Sequence, residues 1–162
     1  HQLLSLARTE AEVALHPVDV AALAREVARE WTPRAVTAGV DLGYEGEDTV
    51  VAPGDKLLLR EVLSNLIDNA LRYAGKGSNV TLRTEVRDGH CILEVEDTGP
   101  GLSAEHLERV FERFWRASEL PGGCGLGLSI VAEIARRHNG TATARTTLPH
   151  GLTISLRLPL QG

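Results

Sequence analysis

The sequence predicts an α/β (α+β) two-layer sandwich, in which a mixed, mostly antiparallel sheet is covered by helices on one face. Segments of helical spacing and segments of period-2 alternation are interleaved along the 162 residues. The strand-like segments come mainly as hairpins, around "RDG" and "PHG", rather than as βαβ units. Apolar residues make up 43% of the chain, enough for one domain with its own core. An antiparallel or mixed sheet with helices on one side is the layer arrangement that such an order favours.

Each element follows from local chemistry. Leu3 to Leu15 alternates at helical spacing, and the segment is too short and one-sided to stand without a partner helix. Pro17 ends it. Asp19 caps a second helix that runs through "VAALAREVAREW" towards Gly39, with a kink or short break expected at Pro33. "VDLGYE" and "DTVVAP" read as short strands around Gly46. Asp55 caps a third helix, closed by Gly75 and Gly77. "NVTLRTEV" and "HCILEVED" form a hairpin across "RDG". "SAEHLERVFERFW" reads as a helix, and "IVAEIARRHNG" as another, stopped by Gly140. "TATARTTL" and "LTISLRLPL" close the chain as a hairpin around "PHG".

Composition excludes several classes of function. A net charge of -5 argues against nucleic-acid binding, which calls for a basic surplus. No apolar run approaches the ~20 residues of a membrane span, and no signal peptide is evident. The chain begins at His1 and contains no methionine, so it reads as a piece of something longer, with membrane segments expected upstream. Cys91 and Cys124 form neither CxxC nor a disulfide framework, which fits a reducing cytoplasmic setting. Six histidines show no metal-ligand spacing.

Chemistry enters at "EVLSNLIDNALRYA". On a helix, Glu61, Asn65, Asn69, Arg72 and Tyr73 fall on one stripe, and the remainder is apolar. Asparagine is a poor helix former because its amide competes for backbone hydrogen bonds. Two amides one turn apart therefore call for partners. Amide oxygens are hard ligands suited to Mg²⁺, Arg72 suits a phosphate, and Tyr73 can cover a base or sugar. Taken alone, a polar stripe is as well explained by a solvated helix face. "EVEDTGPG" places Asp97 at a strand end, followed by Gly99 and Gly101. A carboxylate there can accept from an exocyclic amino group, although an ordinary tight turn has the same composition. "GGCGLGLSIV" opens a helix with glycines, as an anion site does. It is not a Walker loop, since no GK[ST] follows, and it lacks the dinucleotide-binding spacing.

Taken together and in this order, the motifs resemble the catalytic, ATP-binding domain of sensor histidine kinases, in the superfamily shared with gyrase, Hsp90-type chaperones and MutL. "NLIDNALRYA" resembles the N box, "DTGPG" the first glycine box, "FERFWRA" the F box and "GGCGLGLSI" the second glycine box. The resemblance covers residues 18 to 160 and implies a Bergerat-type ATP-binding fold with ATP and Mg²⁺ as cofactors. It implies that Asn69 ligates Mg²⁺ with Asn65 alongside, and that Arg72 and Tyr73 contact phosphates and nucleoside. Asp97 would accept from the adenine amino group, with Gly99 and Gly101 shaping its pocket. Residues 102 to 124 would form a lid carrying Phe111, Phe114 and Arg116, the last with a catalytic role beside Asn65. Gly123, Gly125, Leu126 and Gly127 would wrap the triphosphate.

Hydrolysing members of the superfamily carry a glutamate where this chain has Asn65, so transfer to another nucleophile is the expected use. The resemblance further implies two partners, the parent's own phosphoacceptor hairpin domain and a response regulator. Residues 1–16 would be the C-terminal end of that hairpin and 17–162 the catalytic domain. None of the six histidines fits the phosphoacceptor, so the chain alone is expected to bind ATP without phosphorylating itself. A monomer is expected for the chain, and a homodimer anchored in the inner membrane for the parent, with this domain in the cytoplasm. A nucleotide-sensing module without catalysis is disfavoured by the intact boxes, an ATPase or chaperone relative by Asn65, and an anti-sigma type serine kinase by "LLSLARTEAE".

Overall fold

The computed structural model describes residues 14–112 and 127–160. Strand β1 (His16–Asp19) leads directly into helix α1 (Val20–Ala38). Strands β2 (Asp41–Gly46) and β3 (Val51–Gly54) precede helix α2 (Lys56–Tyr73). The hairpin β4 (Asn79–Arg87) and β5 (His90–Asp97) follows, then the single turn α3 (Ala104–Leu107). Helix α4 (Gly127–Arg137) and the hairpin β6 (Thr141–Thr146) and β7 (Leu152–Pro159) complete the order.

The main sheet has five strands in the order β2-β4-β5-β7-β6. Only β2 and β4 run parallel, and the other neighbours are antiparallel. Leu82, Val95 and Ile154 stand in register across three strands, as do Thr84, Leu93 and Leu156. This face joins one core with α1, α2 and α4, through Leu23, Val27, Leu63, Leu66, Ile130 and Ile134 among others. The opposite face is polar. Arg83 reaches Glu45 at 3.1 Å and Glu94 at 3.4 Å, while Arg145 reaches Glu94 at 2.9 Å. The two-layer sandwich and its mostly antiparallel sheet are therefore as the sequence predicts, because period-2 alternation on β4 already separates a buried face from a charged one.

Both helix starts lie where the aspartates place them. Asp19 Oδ1 accepts from Ala22 N–H at 3.1 Å, and Asp55 Oδ1 accepts from Leu58 N–H at 3.0 Å. Asp88 and Gly89 both adopt positive φ, 53° and 75°, the backbone that a two-residue hairpin loop requires.

Other local expectations are corrected. Helix α1 is continuous through Pro33, with no break. Pro33 and Arg29 lie on the exposed side, so water can serve the carbonyl that loses its donor. His16–Asp19, not read as a strand from the sequence, is one, paired with β3 in a separate two-stranded sheet, and its last residue Asp19 is still the cap of α1. The two short strands around Gly46 thus belong to different sheets. The stop after α4 is Asn139, at φ 61°, rather than Gly140. Gly140 is needed for another reason: a Cβ there would lie 2.1 Å from the Arg157 carbonyl oxygen. The helix expected over residues 103 to 115 is regular only at Ala104–Leu107 within the described part, capped by Ser103 Oγ on His106 N–H at 3.3 Å.

Candidate functional site

Helix α2 is the spine of the site. Its buried side carries Leu58, Leu59, Val62, Leu63, Leu66, Ile67 and Ala70, and its polar edge carries the amides. Asn65 Nδ2 donates to the Glu61 carbonyl at 3.0 Å. A Cβ on Gly127 would sit 3.5 Å from Asn65 Oδ1. The first residue of α4, the end of the second glycine stretch, is therefore packed against Asn65. Among the described residues, the Asn69 and Tyr73 side chains make no hydrogen bond. Arg72 is paired along the helix, its Nε donating to Asp68 at 3.1 and 3.2 Å on an exposed face. It is not directed at the amides, and a phosphate would have to compete with Asp68.

The other end of α2 meets the Asp97 turn. A Cβ on Gly99 would lie 2.5 Å from Ala74 Cα and 2.8 Å from Ala74 O. Gly101, at φ 75°, would bring a Cβ to 2.8 Å from the Gly151 carbonyl oxygen. The chain's own backbone thus fills the space beside both glycines. Asp97 itself is buried. Its Oδ1 accepts from Gly99 N–H at 2.9 Å and from Leu152 N–H at 3.3 Å. Burial raises its pKa, against the lowering effect of those two N–H groups. Its Oδ2 has no hydrogen-bond partner among the described residues, so it remains available to an incoming donor.

Two motifs thus meet the helix that carries the amides: Gly127, the end of the second glycine stretch, at Asn65, and the Asp97 turn at Ala74. Nine residues of helix separate these contacts, about 13 Å at 1.5 Å per residue. That is the length over which a nucleoside triphosphate extends from base to terminal phosphate. The donor set would fit a hard cation shared with phosphates, since the neutral amides of Asn65 and Asn69 stand one turn apart on α2. No group of three or more His, Cys, Asp or Glu among the described residues could hold a metal without such help. Phe114, Arg116, Gly123, Gly125 and Leu126 lie outside the described residues.

Two groups escaped the sequence reading. Among the described residues, Glu61 Oε2 is shut off from solvent and has no hydrogen-bond partner, and burial raises the pKa of this carboxyl. It belongs to the stripe, but spacing alone gives no sign of its burial. His138 is also buried, beside the start of α2, and nothing in its neighbours signals this.

Comparison with known proteins agrees with this geometry. The family described as histidine kinase-, DNA gyrase B- and HSP90-like ATPase matches residues 54–162, and the chain belongs to it. Within that family its relatives are sensor histidine kinases, and the chain corresponds to their catalytic, ATP-binding domain. Sensor protein kinase PmrB of Pseudomonas aeruginosa is 37% identical over 164 residues, covering 98% of this chain and 34% of PmrB. The chain therefore spans about a third of the length of the curated relatives it matches. The ATP-binding domain of PrrB from Mycobacterium tuberculosis superposes with a TM-score of 0.74 at 27% identity, covering 92% of this chain and 99% of that one. Full-length ShkA in complex with AMPPNP gives 0.84 at 30% identity, covering 98% of this chain and 34% of ShkA.

Proposed function

We propose that this chain binds Mg·ATP and, in a longer parent protein, directs transfer of the γ-phosphoryl group to a histidine on a phosphoacceptor hairpin, for relay to a response-regulator aspartate. The observation that carries the reading is that Gly127, the last residue of the glycine stretch, and the Asp97 turn meet opposite ends of the amide-bearing half of α2. ATP bound with Mg²⁺ supplies the phosphoryl group, and the metal offsets the charge on its phosphates.

Each residue then has a distinct task. Asp97 Oδ2 accepts from the exocyclic amino group of adenine, and Tyr73 lies next to the turn that positions it. Asn69 supplies an amide oxygen to the metal, with Asn65 beside it. The backbone at Gly127 approaches closely because it has no Cβ. Gly123, Gly125 and Leu126 wrap the triphosphate, while Phe114 and Arg116 close over it, with Arg116 stabilising the transferring group. Arg72 reaches phosphate by releasing Asp68. Neutral Asn65 cannot take a proton from water, so the site favours transfer over hydrolysis.

Residues 1–16 are assigned to the end of the hairpin and 17–162 to the catalytic domain. The parent is a homodimer anchored in the inner membrane with this domain on the cytoplasmic side. Among the described residues, no helix is long and apolar enough to cross a membrane.

Calorimetric titration with a non-hydrolysable ATP analogue, with and without Mg²⁺, tests the first half. Tighter binding with the metal is expected, and no binding in either condition would refute the reading. Labelled ATP with a separately produced hairpin of the parent tests the second half. Acid-labile label should appear on the hairpin and not on this chain. It should appear slowly, because the tether that raises effective concentration is missing.

A further inference from the structure

The loop between β6 and β7 reaches back to the Asp97 turn at several points. Gly151 approaches so closely that a Cβ there would lie 1.9 Å from the Asp97 carbonyl oxygen. Leu152 N–H donates to Asp97 Oδ1 at 3.3 Å. The Gly151 carbonyl oxygen is the nearest neighbour of Gly101. The loop is itself closed, since Thr147 N–H donates to the Gly151 carbonyl at 3.1 Å and the Thr147 and Thr153 hydroxyls share a 2.7 Å hydrogen bond. One side chain extends this support to the middle of the turn: His150 Nδ1 lies 2.9 Å from the Gly99 carbonyl oxygen. A carbonyl can only accept, so Nδ1 carries the hydrogen.

We infer that His150 is a positioning residue for the nucleotide base, holding the Asp97–Gly101 turn so that Asp97 Oδ2 stays directed at an exocyclic amino group. Asp97 Oδ1 is fixed by two backbone N–H groups, one from the turn itself and one from the loop. The direction of Oδ2 is then set by how turn and loop are joined. Among the described residues, His150 supplies the side-chain hydrogen bond from the loop to the Gly99 carbonyl, on the same residue whose N–H binds Asp97. If the bond is lost, Gly99 and its N–H can rotate, and the carboxylate follows. The glycine on either side of Pro100 gives that peptide the freedom to move. His150 is an exposed loop residue whose hydrogen bond goes to the turn, so its effect is expected to fall on the base.

The inference rests on the reading of Asp97 as the base acceptor, and the test separates the two. The whole chain is titrated with Mg·ATP and with Mg·tripolyphosphate, which offers phosphates and no base. Wild type, His150→Ala and His150→Asn are compared, with the melting temperature of each measured without ligand. His150→Ala should bind Mg·ATP about three- to tenfold more weakly, the size of one partly exposed hydrogen bond. Its melting temperature and its affinity for tripolyphosphate should stay near wild type. His150→Asn should recover ATP affinity, because its Nδ2–H stands where Nδ1–H stood. Wild type that fails to bind ATP would overturn the functional reading. Wild type that binds ATP while His150→Ala binds it equally would overturn this inference alone. Parallel losses for ATP and tripolyphosphate would also overturn it, as would His150→Asn losing as much affinity as His150→Ala.

Discussion

The backbone N–H of Asp55 donates to Nε2 of His138 at 3.0 Å, while Nδ1–H of the same imidazole donates to the Ile134 carbonyl at 2.8 Å. Both ring nitrogens are satisfied, and the neutral tautomer is fixed by its two partners. The bond joins the end of α4 to the N-cap of α2. The same two helices meet again where Gly127 packs beside Asn65. His138 thus sets the relative placement of the helix that opens with glycines and the helix that carries the amides.

Folding should therefore depend on the charge of His138. Burial holds its pKa below the ordinary value of 6.5, against the raising effect of the Ile134 carbonyl and of Asp55. The unfolded chain then binds the extra proton. Stability is full above about pH 6.5 and falls as pH drops through the depressed folded value. Denaturant unfolding of wild type between pH 7.5 and 5 should show the decline. His138→Leu should cost about 1–3 kcal/mol, since it leaves the Asp55 N–H buried without an acceptor. His138→Gln, whose Oε1 can accept that N–H, should cost less and remove most of the pH dependence. A slope retained in the glutamine variant would assign the effect to another group.

Asp97→Asn should separate stability from binding. The amide oxygen can keep both backbone hydrogen bonds made by Oδ1. Burial disfavours the ionised carboxylate, so the neutral amide should leave the melting temperature unchanged or raise it slightly. In place of Oδ2 it presents N–H donors to a donor. A loss of about 1.5–3 kcal/mol in ATP affinity is expected by calorimetry. Equal affinity in the two proteins would remove Asp97 from the base.

Asn69→Ala should weaken binding of Mg·ATP more than binding of metal-free ATP. Asn69 has no hydrogen bond to lose among the described residues, so the folded state should be little affected. Titrations with Mg²⁺ and with a chelator make the comparison, and equal losses would place the metal elsewhere.

Gly99→Ala should destabilise the fold itself. The added methyl would meet the backbone of Ala74, which has no flexible side chain to swing aside. Overpacking of this kind costs about 1–3 kcal/mol, to be read from denaturant midpoints. A midpoint equal to that of wild type would mean that the end of α2 and the turn separate without cost.

Cys91 should resist thiol reagents in the folded protein. It lies within the core, and burial, with Glu47 adding to it, pushes its thiol up to about 12. Mass spectrometry after brief alkylation should find Cys91 modified only once denaturant is present.

The sequence by itself determined the features whose causes lie within a few residues. The alternation of β4 and β5, the Asp88–Gly89 turn, the aspartate caps of α1 and α2 and the stripe of Asn65, Asn69 and Tyr73 all follow from local sterics and helical or strand period. The order of the motifs added the family. What only the tertiary structure decided involves partners far apart in the chain. Strand β1 pairs with β3, and β2 lies parallel to β4, because short segments take the edge that the packed core leaves open, which local propensity does not encode. Gly99 and Gly140 are glycines because the backbones of Ala74 and Arg157 pass beside them. His138 and His150 read in sequence as two of six scattered histidines. The fold brings one to Asp55 and the other to Gly99, and a hydrogen bond exists only once both ends have been placed.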